Sequence, residues 1–276
     1  MSVPRLSDPA SDRHHAAGGP AAGEASDSAE AALPALFISD LHLSEDCPDT
    51  VAAFLDFLRG PARAAGSLFI LGDLLEYWAG DDDLEAPFNH RICAALNGLA
   101  EHGVQIFFMT GNRDLLAGER FASAAGARLI ADPARVSFGP GADPLILSHG
   151  DALCTDDVAY QAYRRQVRDP TWQAGFLAQP LAARKAFIET LRQKSEEAKR
   201  EKSMVIMDVN AAAVESLLRK YANANLIHGH THRPARHEHV VDGCLRVRWV
   251  LADWHGQASW LSYDGKRIIS GSNAGD

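Results

Sequence analysis

An α/β fold is what this sequence predicts, and three observations predict it. Apolar runs too continuous for half-exposed strands recur along the chain. Segments with helical periodicity separate them. A polar residue beside a glycine closes run after run. In open α/β sheets the carboxyl ends of the strands form the ligand-binding edge, so chemistry is expected at those closings.

Residues 1–33 are rich in small residues and have no aromatic residue, which predicts a disordered tail with His14 and His15 solvated. Ala35-Leu36-Phe37-Ile38-Ser39 reads as a buried strand running into Asp40-x-His42. A helical face follows over 51–58 and stops at Arg59-Gly60-Pro61. Ser67-Leu68-Phe69-Ile70-Leu71 is a second strand, ending in Gly72-Asp73. A helix is expected over 88–100. Val104-Gln105-Ile106-Phe107-Phe108-Met109 is a third strand, running into Thr110-Gly111-Asn112-Arg113-Asp114. A helix with Phe121 buried comes next. Leu145-Ile146-Leu147-Ser148 is the fourth strand and ends at His149-Gly150-Asp151. Leu226-Ile227 begins the fifth, which opens into His228-Gly229-His230-Thr231-His232-Arg233-Pro234. Strands over 136–138, 245–251, 258–263 and 267–269 are expected to build a second sheet packed on the first.

The segment 155–210 breaks this rhythm. It is helical in pattern and carries Tyr160, Tyr163, Trp172, Phe176, Leu177 and Phe187. Between Gln161 and Ser203 it holds ten Lys/Arg against five Asp/Glu, in a chain whose formal charge is −9. A basic, amphipathic insert between two site motifs reads as a cap over the site; an ordinary helical hairpin with a solvated basic face is the alternative.

Composition narrows the class. A chain of 276 residues, 46% hydrophobic, can bury a substantial core in one large domain or two small ones. The acidic balance argues against nucleic acid as a partner. Cys47, Cys93, Cys154 and Cys244 lie far apart with no C-x-x-C spacing, which argues for a reducing cytoplasm and against a disulfide framework. No apolar run approaches the ~18 residues needed to span a bilayer, and no signal-peptide core is visible, so membrane contact would be peripheral.

Seven polar side chains stand at the strand ends: Asp40, His42, Asp73, Asn112, His149, His230 and His232. Two carboxylates, one amide and four imidazoles are too many for one metal ion. They suit two ions sharing a bridging carboxylate, about 3.5–4 Å apart. Two divalent ions against two carboxylates leave a residual charge of about +2, which suits an anionic phosphate and acidifies a bound water. Each motif alone has a plain alternative: a helix cap for Asp40 or Asp73, a satisfied core histidine for His149, a turn residue for Asn112. Other features rank lower. Asp81-Asp82-Asp83 reads as an acidic helix N-terminus or solvated loop, and His237 and His239 as surface residues on a polar edge. Trp249, Trp254 and Trp260 read as packing, and Asp114, Asp151 and His228 as groups that orient ligands.

The set Asp40-x-His42, Gly72-Asp73, Gly111-Asn112, Ser148-His149-Gly150 and Gly229-His230-Thr231-His232 resembles the motif set of the calcineurin-like metallophosphoesterases over roughly 35–263. The resemblance implies a four-layer sandwich, two packed mixed β-sheets flanked by helices, with a helical cap insertion. Residues 34–154 and 211–270 would form the core and 155–210 the cap. It also implies that Asp40, His42, Asp73 and His232 hold one ion and that Asp73, Asn112, His149 and His230 hold the other. Most of that superfamily has a histidine after the Gly-Asn; this chain has Arg113, which cannot act as a general acid near neutral pH but can clamp phosphate oxygens.

Gly111-Asn112-Arg113-Asp114, with Gly72-Asp73-Leu74-Leu75-Glu76, Leu153-Cys154-Thr155-Asp156-Asp157, Ile206-Met207-Asp208-Val209-Asn210 and the fifth-strand motif, is similar to the UDP-2,3-diacylglucosamine diphosphatase family of lipid A biosynthesis. That resemblance implies two Mn2+ ions and catalytic roles for Asp73, Asn112, Arg113, His149 and His230. It implies substrate contacts at Asn112, Arg113, Asp157, Ser195, Lys199, Lys202 and His230. Position 199 departs from the family, which carries asparagine there. It further implies an acylated UDP-sugar as substrate, no nucleic acid or obligate protein partner, and a peripheral place on the cytoplasmic face of the inner membrane through the cap. A general metal-dependent phosphodiesterase or nucleotide phosphatase, and an inactive metal-binding scaffold, are the alternative readings.

Overall fold

The computed structural model describes residues 26–201, 208–221 and 224–272. The strands are β1 (Ser26–Glu30), β2 (Ala35–Ile38), β3 (Ser67–Leu71), β4 (Gln105–Met109), β5 (Ala127–Ser137), β6 (Leu145–Ser148), β7 (Asn225–His228), β8 (Ala235–Val241), β9 (Cys244–Val250), β10 (Ser259–Tyr263) and β11 (Ile268–Ser272). The helices are α1 (Pro48–Arg59), α2 (Pro87–Glu101), α3 (Glu119–Ala125), α4 (Val158–Val167), α5 (Pro170–Leu177), α6 (Leu181–Glu201) and α7 (Ala211–Lys220).

The strands follow one hydrogen-bonded path, β11-β10-β2-β3-β4-β5-β6-β7-β9-β8, with β1 beside β5. The long β5 is the hinge of this path. Its start pairs parallel with β4 and its end antiparallel with β6. The path thereby divides into two halves that pack face to face. Phe37, Phe69 and Phe107 from one half meet Val136, Leu147 and Ile227 from the other in a shared core.

This layering explains the continuous apolar runs. In β3, Leu68 and Ile70 point to α1, α2 and α3, while Phe69 and Leu71 point into the core between the sheets. A strand covered on both faces has no polar side to show. Phe37, Phe69 and Phe107 sit in register on three parallel strands and stack with ring centroids 5.2 and 4.6 Å apart. Burying each such ring contributes on the order of 2 kcal/mol. On the far side, Val214 and Leu218 of α7 cover Ile146 and Leu226. The result is the expected four-layer α/β/β/α sandwich of mixed sheets and flanking helices.

The strands divide between the halves differently from the expectation. β10 and β11 extend the first half, beside β2, whereas β6 and β7 belong to the second. Both divisions satisfy the apolar pattern; strand partnering is set by long-range packing, which periodicity does not encode. A strand also forms before the expected boundary at 33. Ser26–Glu30 pairs parallel with β5, and Ala31 donates its N–H to Ser137 O at 2.9 Å. The strand is short and made of small and polar residues, with Ala29 packed on the core between the sheets, so its sequence shows no apolar run. His14 and His15 lie outside the described residues. Within the expected insert 155–210, the described residues 158–201 form α4, α5 and α6, joined to one another end to end.

Candidate metal centre

All seven candidate ligands fall just past the C-terminal ends of β2, β3, β4, β6 and β7, and the fold brings these ends to one edge. The loops are pinned to each other by backbone bonds: Asp40 N–H to Gly72 O at 3.1 Å, His42 N–H to Asp73 O at 3.0 Å, Gly229 N–H to His149 O at 2.9 Å. Asp40, His42, Asp73, His230 and His232 all have positive φ, between 49° and 68°. Non-glycine residues rarely adopt that conformation, and such strain concentrates at functional sites. Two glycines make the crowding possible. A Cβ at Gly111 would overlap the Asp73 carboxylate, and one at Gly229 would overlap Asp40 and Ser39.

Two clusters result. Asp40, His42 and His232 form one, and Asp73, His149 and His230 the other, with the ligand atoms of each within 4.8 Å of one another. His42 Nε2 lies 3.9 Å from Asp73 Oδ2, and His149 Nε2 lies 3.8 Å from Asp73 Oδ1. Asp73 therefore stands between the clusters with one oxygen toward each.

The donor chemistry fits cations. His42 and His232 give their Nδ1 sides to the Glu76 and Asp253 carboxylates, both at 3.0 Å. In the neutral rings, the two Nε2 lone pairs then face each other at 3.4 Å. In its neutral form His149 donates Nδ1–H to Leu71 O at 2.9 Å, which leaves the Nε2 lone pair facing Asn112 Oδ1, another acceptor, at 3.1 Å. Asp40 Oδ1 is buried with no hydrogen-bond partner, 3.3 Å from His232 Nε2. Acceptors turned on one another in a buried site are satisfied by a cation between them, and carboxylates or carbonyls on the remote imidazole nitrogen are the usual support of a histidine ligand.

The electrostatics agree. Burial pushes the His149 imidazole down, but the Asp73, Asp151, Asp40 and Asp132 carboxylates outweigh it and raise it to about 9. That spot favours positive charge. Burial, with the charge of Asp73, raises the Asp114 carboxyl to about 6. Burial, then the neighbouring His149, pushes His230 down to about 4.

The structure enlarges the charge account. Asp114 accepts from the backbone N–H groups of Gly111 and Leu74 at 2.7 and 2.8 Å and so fixes the loops carrying Asn112 and Asp73. Asp151 is paired with Arg164 at 2.8 Å and with the Tyr160 hydroxyl at 3.0 Å. Asp132 accepts from Ser148 Oγ at 2.7 Å and supports the His149 loop. Glu76 lies among His42, Arg113 and Arg192. Counting only Asp40 and Asp73 therefore misses an outer ring of carboxylates, most of them paired with arginines. Asp114 and Asp151 were expected in such roles; Glu76, Asp132 and Asp253 were not. Glu76 and Asp132 have no strand-end glycine beside them, and Asp253 lies 21 positions from the histidine it supports.

Arg113 lies on the same edge. Its backbone N–H donates to Asp73 Oδ1 at 2.8 Å and its guanidinium pairs with Glu76 at 3.3 Å. Asp157 caps α4, with Oδ1 accepting from Tyr160 N–H at 3.0 Å. The side chains of Ser195 and Lys199, and Lys202 altogether, lie outside the described residues. Helix α4 reaches the centre directly: the Tyr160 ring packs 5.8 Å from that of His230, and Arg168 donates to the carbonyls of Thr110 and Gly111 at 3.2 and 3.0 Å.

His228 keeps its Nε2 as acceptor for Arg248 at 2.9 Å. His237 and His239 sit on β8 at the sheet edge, as expected, and Trp254 is buried against Phe54 and Phe57. Asp81 does cap a helix, but α3 rather than its own segment. Its carboxylate accepts from the backbone N–H groups of Gly118, Arg120 and Phe121 at 2.9–3.2 Å.

Comparison with known proteins adds the lineage. A family model described as calcineurin-like phosphoesterase matches residues 33–234. UDP-2,3-diacylglucosamine hydrolase of Aromatoleum aromaticum is 58% identical over 233 residues, covering 84% of this chain and 94% of its own. Proteins of the same name from Chromohalobacter salexigens and Escherichia coli are 45% and 46% identical, covering 83% of this chain and 92% and 94% of their own.

Proposed function

This chain belongs to the calcineurin-like phosphoesterase family, and from that premise we propose that it hydrolyses the diphosphate of UDP-2,3-diacylglucosamine to UMP and 2,3-diacylglucosamine 1-phosphate, in lipid A biosynthesis. The observation that carries the reaction class is the pair of ligand clusters with Asp73 between them. The substrate rests on the likeness to hydrolases named for it, across more than nine tenths of their length.

We assign Asp40, His42, Asp73 and His232 to one divalent ion and Asp73, Asn112, His149 and His230 to the other, with Mn2+ as the metal in both. When bound, the two ions supply Lewis acidity and lower the pKa of a water held in the site. Water adds its oxygen to the α-phosphorus, the bond from that phosphorus to the bridging oxygen breaks, and UMP departs with the added oxygen. Arg113, held by Asp73 and Glu76, draws charge from the phosphoryl oxygens as they become more negative. The leaving group is itself a phosphate, so a residue unable to donate a proton is no handicap there. By the resemblance, Asp157, Ser195 and Lys202 would extend the substrate contacts into the insert, and Lys199 stands where the family carries asparagine.

The insert supports a lipid substrate on physical grounds. Trp172, Phe176 and Phe187 pack on one another with centroids 5.0 and 5.5 Å apart, and Leu177 and Val158 are exposed on an insert that also carries Arg164, Arg165, Arg168, Arg184, Lys185 and Arg192. Apolar side chains among basic ones suit acyl chains and an anionic membrane surface. No helix among the described residues is long and apolar enough to cross a membrane. On the strength of the proposed lipid substrate and the apolar, basic insert, we place the chain peripherally on the cytoplasmic face of the inner membrane.

The test is product analysis with acylated UDP-glucosamine, with and without Mn2+. UMP and the lipid 1-phosphate should appear only with metal, and Asp73→Ala and His149→Ala should abolish turnover. Equal turnover of unacylated UDP-sugars or cyclic nucleotides would sink the lipid reading. Full activity after chelation would sink the metal mechanism.

A further inference from the structure

Glu76 lies outside the ligand set, yet three cationic or ionisable side chains of the site converge on it. Its Oε2 accepts from His42 Nδ1–H at 3.0 Å. Its Oε1 lies 3.0 Å from Arg192 Nε and 3.3 Å from Arg113 Nη1. The backbone holds it there: Glu76 N–H donates to Leu43 O at 3.1 Å, next to His42. The two oxygens are thus divided, one for the imidazole and one for two guanidinium groups that come from different elements. Arg113 belongs to the loop after β4, and Arg192 to α6 of the insert.

We infer that Glu76 is a positioning residue that aims His42 and Arg113 and ties both to the helical insert. A carboxylate on Nδ1 fixes the ring so that Nε2 presents its lone pair to the centre. The same carboxylate stops Arg113 from swinging freely on its long stem, and Arg192 secures the pair from the insert side. The Arg113 half of this inference rests on the proposed function. The His42 half rests on the geometry alone.

Glutamine separates the two halves, because it has only one acceptor oxygen. With that oxygen on His42, its NH2 group faces both guanidinium groups. Two variants and two readouts decide. Mn2+ binding is measured by calorimetry without substrate, and KM and kcat are measured with acylated UDP-glucosamine. Glu76→Ala should weaken Mn2+ binding about 10- to 100-fold, as loss of such outer partners does, and should raise KM. Glu76→Gln should bind Mn2+ within about threefold of wild type yet still raise KM about tenfold. Wild-type Mn2+ affinity in Glu76→Ala would overturn the inference for His42. Unchanged KM in both variants, with only the melting temperature lowered, would overturn it for Arg113. If Glu76→Ala does not fold, Glu76→Leu, which keeps the volume and removes both acceptors, takes its place in the Mn2+ titration, with wild-type affinity again the overturning result, and Glu76→Gln decides for Arg113. If the wild-type chain does not turn over the lipid, the proposed function fails while the Mn2+ titration still answers for His42.

Discussion

At the scale of single residues, the site depends as much on missing side chains as on present ones. Gly111 and Gly229 leave room for Asp73 and Asp40 to reach inward, where a methyl group would overlap each carboxylate. The five candidate ligands at positive φ are strained, and the surrounding backbone bonds hold them there. Gly111→Ala and Gly229→Ala should therefore fold but misplace a carboxylate. A misplacement of this kind costs about 100-fold in turnover. Steady-state kinetics check this, with circular dichroism as the control for folding. Activity within a few-fold of wild type in both variants would refute the packing argument. The candidate ligands themselves were legible because each belongs to a local signal: polar residues at the close of an apolar run, with a glycine in every motif but Asp40-x-His42. Glu76 and Asp253 were not. Their roles exist only through contacts with His42 and His232, which lie 34 and 21 positions away in the chain.

At the scale of elements, α3 shows how one segment can complete another. Gly118, which precedes the helix, has no side chain to cap it, and the Asp81 carboxylate supplies three hydrogen bonds from a distant turn. Asp81 also accepts from the Trp78 indole at 3.0 Å, and Trp78 packs on Phe121 of α3. Asp81→Ala should destabilise the fold by about 1–2 kcal/mol, the usual cost of losing a cap. Urea denaturation measures this, and a midpoint equal to wild type would contradict it. The sequence pattern pointed to a helix-terminal role for this acidic run. Which helix it serves was out of reach, since Asp81 and Gly118 meet only after α2 and β4 have packed.

At the scale of the whole molecule, the two halves of the strand path carry different candidate ligands to one edge. β2, β3 and β4 supply Asp40, His42, Asp73 and Asn112; β6 and β7 supply His149, His230 and His232. Bound ions would therefore clamp the two halves together, and metal binding becomes a stability term. The unfolded chain cannot assemble such a centre, so Mn2+ at about 100 times its dissociation constant should stabilise the fold by about 2.7 kcal/mol. Thermal melts with Mn2+ and with a chelator test this. A melting temperature indifferent to both would mean that the centre is not formed by the two halves together.

What the sequence by itself determined is the buried character of the strands, their order with the helices, and the candidate ligands at their ends. These follow from periodicity and from local backbone needs, which neighbours in the chain express. Tertiary structure alone decided how the strands divide between the halves and that β1 adds an edge. It also decided that Asp73 stands between two clusters, and that Glu76 joins a ligand, an arginine and the insert. Each of these depends on side chains meeting across long loops, and the energy of such a meeting belongs to the packed pair rather than to either residue.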